Sequence, residues 1–201
     1  MNMQAFFLLL YDVAHTMAEE LILAEQNDEQ LRYAPFENQH SLAWLLWQST
    51  RWEDLAVTML KPGASQIFEQ KAWFTSLGVK RRDVGISMSA QECHVFNRSI
   101  ELPALRLYRQ EVEQRTRMLV ETLQDMDLEE TVQQQHFLCV LETGALGTRS
   151  VPWLERFLVD RAKAWWLSSI IWRQTASLLG EGVYLRRHFG HSQHNLPEWP
   201  F

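Results

Sequence analysis

The side chains of this chain best suited to metal binding or nucleophilic work are its seven histidines, two cysteines and a few serines. The densest group is HFGHSQH, which sets His188, His191 and His194 three residues apart. Three imidazoles at that spacing could share a helix face and hold a divalent metal. Gly190 stands between the first and second, however, where glycine commonly closes a helix. The tract therefore reads as structural or adventitious, with metal binding as the alternative. His94 and His136 have no partner at ligand spacing, and His15 and His40 read as helix-surface or boundary residues. Ser168, Ser169 and Ser177 lack a histidine and an acid at suggestive spacing, and Cys93 and Cys139 lack a neighbour that would favour the thiolate. No catalytic residue is expected among them.

The stretch AWLLWQSTRWED poses a different question, because Gln48 stands amid Trp44, Leu45, Leu46, Trp47 and Trp52. An unpaired buried amide costs roughly 1–3 kcal/mol. Gln48 therefore needs a partner: Gln174, Glu181, Arg51, water or a ligand. A tryptophan-lined pocket with converging amides would suit a small molecule, while a polar plug would satisfy the same groups. Both readings stay open. Arg51, Glu53 and Asp54 are candidates for orienting the pocket, although Glu and Asp beside Arg on a helix more often make ordinary surface pairs.

Helices must position these residues. Phe6, Leu10, Val13, Met17, Leu21 and Ala24 recur at three- and four-residue steps, predicting a helix over about residues 3–27 with that stripe inward. A second helix is expected over 39–60, with Ser41, Leu45, Gln48, Trp52, Leu55 and Met59 on one face and KPG as its stop. Leu105, Tyr108, Val112, Thr116, Leu119, Leu123 and Met126 mark a third, opened by Pro103. A fourth is expected from Pro152 to Phe189, with Leu167, Ile171, Gln174, Leu178, Glu181 and Leu185 inward. Residues 61–101, with a short helical candidate at SQIFEQKAWF, and 127–151 read as long connections. The pattern predicts an all-α, four-helix bundle in a single domain over 1–201, its tail 191–201 extended.

Composition narrows the function classes. A net charge of −6 with no dense run of Lys or Arg argues against binding a phosphate backbone, so no nucleic-acid partner is expected. Two cysteines 46 positions apart fit a reducing compartment. The apolar start has no basic flank or cleavage site, and no stretch reaches the roughly 18–20 apolar residues of a membrane span. A cytoplasmic protein without a membrane partner is expected.

Taken together and in order, HSLAWLLWQSTRWEDLAV, QIFEQKAWFTSLGV, RDVGISMSAQE, LPALRLYRQEVEQRTRMLVETL and LLGEGVYLRRHFG resemble the DinB/YfiT-like superfamily of metalloenzymes. The resemblance spans nearly the whole chain. It implies an antiparallel four-helix bundle, usually dimeric, in which three histidines commonly hold a divalent metal. Some members are S-transferases that use low-molecular-weight thiols.

Carried over residue by residue, the resemblance places the first ligand at Gln48 and the HxxxH pair at Gln174 and Leu178. All three positions lack histidine. A glutamine amide is a weak neutral donor, and leucine offers none. The expected protein is thus a DinB-like bundle with a degenerate metal site, non-catalytic or binding a small molecule. Gln48, Gln174 and Leu178 would line its pocket, and Trp44, Arg51, Trp52 and Glu181 would neighbour it. No cofactor is expected. The alternative is a metal-dependent thiol S-transferase holding zinc, nickel or iron through non-standard ligands. A homodimer is expected because nine tryptophans suggest a covered helical face.

Overall fold

Nineteen residues, Leu42–Leu60, form the helix around which the chain is built, and every one of them is buried. Ser41 starts it by accepting the Trp44 N–H at 3.0 Å. A helix enclosed on all sides must be apolar all round or give its polar groups internal partners. With Gln48, Arg51, Glu53 and Asp54 inside it, this helix takes the second course.

The computed structural model describes residues 2–35, 40–70, 72–147 and 151–188, the side chains of Val151 and Pro152 excepted. In chain order the helices are α1 (Met3–Ala18), α2 (Asp28–Arg32), α3 (Leu42–Leu60), α4 (Trp73–Ser76), α5 (Ala90–Ser99) and α6 (Leu102–Val120). They continue with α7 (Asp125–Glu129), α8 (Gln134–Glu142), α9 (Val151–Leu158), α10 (Lys163–Trp172) and α11 (Gly182–Arg186). Two π-helical segments extend them: Glu19–Leu23 after α1, and Arg173–Glu181, which joins α10 to α11. Among the described residues there is no β-strand, only an isolated bridge between Thr131 and Ala162. The protein is all-α.

Side-chain pairs fix the directions of the long helices. Arg51 meets Tyr108 and Thr58 meets Arg115, so α3 and α6 run the same way. Gln4 meets Val120, Asp12 meets Arg117 and His15 meets Arg109, so α1 opposes α6. His40 meets Glu181 while Trp52 meets Ser169, so the α10–α11 helix opposes α3. The 61–101 connection closes over α3, because Asp54 accepts the N–H groups of Ile67 and Phe68 at 2.8 and 2.9 Å.

Several expected boundaries and faces differ. The first helix stops short of residue 27 because Ala24 is extended and Glu25 turns at φ +64°. Its buried face is Phe7, Tyr11, Ala14, His15 and Ala18, with Ile22 in the π turn. The more hydrophobic stripe of Phe6, Leu10 and Val13 is exposed. The third helix ends at Val120, leaving Met126 exposed in α7. The expected 152–189 helix is broken: Asp160 takes φ +55°, and the Thr131–Ala162 bridge separates α9 from α10. Ile171 is only partly buried. The expected stop at Gly190 and the tail 191–201 lie outside the described residues.

Candidate functional site

Glu53 of α3 is 1% exposed, and its carboxylate is met by side chains from the other three long helices. From α1, the Tyr11 hydroxyl donates to Oε1 at 2.5 Å. From α6, the Thr116 hydroxyl donates to the same oxygen at 2.6 Å. From the π-helical segment, Gln174 Nε2 donates to Oε2 at 3.0 Å. His15 Nε2 stands 3.5 Å from Oε2. A buried carboxylate is tolerable only with this density of donors.

Arg109 and Glu113 complete the arrangement. Arg109 donates to Gln174 Oε1 at 3.4 Å, so that amide is engaged at both ends. His15 Nδ1 lies 3.2 Å from Arg109 Nη2 and 3.4 Å from a Glu113 oxygen. Nδ1 can accept from the first only when it carries no proton and donate to the second only when it carries one. Glu113 is also paired to Arg117 at 3.0 Å and Arg109 to Glu19 at 3.5 Å, and His15 lies between the Glu53 and Glu113 carboxylates. Burial alone would lower the His15 pKa, but Glu113 and Glu53 outweigh it, and the net shift is upward. Burial likewise pushes Glu53 up, and His15, Thr116 and Tyr11 reverse the direction. The hydrogen bond from His15 leads the causes that lower Glu113 to about 2. Burial, then Glu53, raises Tyr11 well above the phenol range.

A second buried network lies further round α3. Asp54 accepts the Tyr108 hydroxyl at 2.7 Å and Arg51 Nη1 at 3.3 Å. Arg51 also donates to the Arg82 carbonyl at 2.7 Å and stacks on Phe68, 3.9 Å from the ring centroid. With the two N–H groups it accepts from the Ile67–Glu69 turn, Asp54 is a clasp for the connection. Arg51, Glu53 and Asp54 are therefore not surface pairs, and Arg51 serves this clasp rather than a Gln48 pocket.

The sequence-derived candidates separate accordingly. Gln48, Gln174 and Leu178 are all buried, at 6%, 0% and 0% exposure. Gln174 bonds Glu53 and Arg109, not Gln48. Gln48 lies five residues, about 7.5 Å of helix rise, before Glu53, and its amide makes no side-chain hydrogen bond among the described residues. Trp44 stacks on His40 with centroids 3.4 Å apart and points its N–H at the Met88 sulfur. Glu181 is exposed and pairs with His40 at 3.6 Å. Trp52 donates to Ser169 Oγ. His188 is exposed, with Nδ1 3.0 Å from the Tyr184 carbonyl oxygen. His191 and His194 lie outside the described residues.

Sequence reasoning missed two histidines. His15 is 5% exposed at the centre of the molecule, not on its surface. His136 is buried too, its Nε2 2.8 Å from the Thr58 carbonyl oxygen. For His15 a signal existed: Tyr11, His15 and Glu19 are spaced by four, as Arg109, Glu113 and Arg117 are on α6, marking facing polar rows.

The donor set does not fit the metal that the family resemblance implies. Leu178 supplies no donor, and Gln174 is committed to Glu53 and Arg109. His15 turns its two nitrogens toward different carboxylates, with the Arg109 cation alongside. Among the described residues no group of three or more His, Cys, Asp or Glu side chains is placed to hold an ion. Cys93 is buried, which raises its pKa and suppresses the thiolate.

No family model and no curated protein matches the sequence. The fold does have a counterpart. A conserved protein from Enterococcus faecalis, known from its crystal structure, superposes with a TM-score of 0.69 over 93% of this chain and 96% of that one. At 18% identity the similarity shows a shared all-α fold.

Proposed function

We propose that this chain is a metal-free, DinB-like binding protein rather than an enzyme, with α1, α3, α6 and the α10–α11 helix as an up-down-down-up four-helix bundle. The helix directions and the order of the five resembling segments support that arrangement. One observation carries the functional reading: where the family resemblance calls for imidazole ligands, Gln174 closes a polar plug between Glu53 and Arg109. Tyr11, Thr116 and Gln174 bonded to one carboxylate hold the helices in register, and they commit Gln174 to that network rather than to a metal. Among the described residues the thiol-transferase reading lacks the donors it requires.

No helix of the described residues is long and apolar enough to cross a membrane. We propose a homodimer, supported by the exposed Phe6, Leu10 and Val13 stripe on α1. The functional reading is tested by metal analysis of tag-free protein. The expected result is no stoichiometric zinc, nickel or iron. One equivalent that survives a chelator and disappears in Gln48→Ala would overturn it.

A further inference from the structure

Beside the junction of α10 with the π-helical segment, the surface opens into a cleft of about 560 Å³. Trp52, buried and held by its N–H bond to Ser169, is part of its wall. Trp153, Phe157, Trp165 and Trp172 also line it, and Arg173 lies among them. The Arg173 guanidinium carbon is 4.9 Å from the Trp52 ring centroid and 5.2 Å from that of Trp172. Its Nε is buried without a hydrogen-bond partner. No carboxylate lies within ion-pair distance of it among the described residues, Glu181 acting on it only from further away, and no Asp or Glu lines the cleft. A second guanidinium, Arg161, stacks on Phe157 and Trp165 at 5.2 and 5.3 Å.

Each feature restricts the ligand. The volume falls in the range of small-molecule sites, and ring faces favour a flat aromatic body over a flexible chain. A partly desolvated guanidinium whose Nε–H has no partner favours an anion, and a planar guanidinium matches a carboxylate. A neutral ligand would leave Arg173 unpaired, and a small inorganic anion would leave the tryptophan walls in water.

We propose that this cleft binds a planar aromatic carboxylate, its rings among the tryptophans and its carboxylate on Arg173. The inference rests on the binding-protein reading and adds the ligand class. Calorimetric titration of the full-length, tag-free protein with naphthoate and with the neutral isostere naphthamide tests it. Naphthoate should bind saturably and about tenfold tighter than the amide, the scale of a charge-assisted bond. Arg173→Gln should abolish that preference. Trp153→Ala, at an exposed position, should weaken both ligands about tenfold by removing a stacking partner while keeping the preference. Equal affinities in the wild type, no saturable binding, or a Trp153→Ala variant that binds like wild type would overturn the proposal. So would a change of oligomeric mass in either variant, which would make the cleft a subunit contact. Metal content measured on the same samples separates the two readings: failed naphthoate binding by metal-free protein refutes the ligand class alone, whereas stoichiometric metal refutes the functional reading.

Discussion

Glu53 is the residue on which the centre of the molecule turns, since it gathers donors from α1, α6 and the π-helical segment onto one carboxylate. Glu53→Ala leaves His15 and Arg109 short of a buried counter-charge and should cost about 3–5 kcal/mol. Thr116→Val removes one donor and should cost about 1–2 kcal/mol. Urea unfolding at neutral pH measures both, and a Glu53→Ala loss no larger than that of Thr116→Val would refute the central role. The pH dependence follows from the shifts. The His15 pKa is raised in the fold, so its contribution is full below the unfolded value of 6.5 and is lost as pH rises through the folded value. Glu113 is lowered from 4.5 to about 2, so its contribution is present above 4.5 and disappears as pH falls toward 2. Stability should therefore peak in mildly acidic solution, and His15→Gln should flatten the alkaline limb and weaken the acid limb too, because His15 leads the groups that lower Glu113 and Glu53. An unchanged alkaline limb in that variant would show that His15 is not the group responsible. The sequence displayed Gln48 and Gln174 as anomalies because amides stand out on apolar stripes. It concealed Glu53, since a carboxylate between Trp52 and Asp54 looks the same whether it faces water or three hydrogen-bond donors.

At the scale of elements, α3 and α6 were largely legible. Ser41 and Pro103 begin them with side chains suited to a first helical turn, and Leu105, Tyr108, Val112 and Thr116 are the residues that pack inward. The first helix was misread in its face because hydrophobicity chose Phe6, Leu10 and Val13, whereas the core accepts the smaller and polar Tyr11, Ala14, His15 and Ala18. Small side chains let helices approach closely, and a polar centre needs polar donors; neither requirement appears in a hydrophobic periodicity. The nine-residue π segment was equally hidden, as i→i+5 bonding has no residue signature. Its C-terminal end is set by Gly182, where an added Cβ would lie 2.9 Å from Ile22 Cγ2 and 3.1 Å from its Cδ1. Gly182→Ala should therefore force the end of the first helix away from the last and cost about 1–3 kcal/mol. Exposed Gly180 has only a contact at 3.8 Å, and Gly180→Ala should stabilise slightly or do nothing. Thermal melts of the two variants give the comparison, and equal melting temperatures would mean that the close approach is not constrained.

Across the whole molecule, the strongest apolar periodicity in the first helix ends up on the outside. Phe6, Leu10 and Val13 are 42%, 38% and 45% exposed, and Met3 is 52% exposed. A groove of about 360 Å³ runs between this stripe and Leu167, Ile171 and Trp172. A contiguous apolar face is a place where a soluble chain ordinarily meets a partner, and closed two-fold pairing is the commonest way to cover it. Facing copies of α1 would bring each stripe against its equivalent. Sedimentation equilibrium at micromolar concentration should accordingly report twice the 23.7 kDa chain mass. Leu10→Glu places a charge in the middle of the stripe without touching the Tyr11, His15 and Glu53 centre, and should return the chain to monomer. Arg173→Gln, on the other side of Trp172, should leave the mass unchanged. Because dimer formation is linked to folding by mass action, the wild-type melting temperature should rise with protein concentration while that of Leu10→Glu stays constant. A wild type that sediments as a monomer, with a melting temperature independent of concentration, would show that the stripe is covered by something other than a second copy.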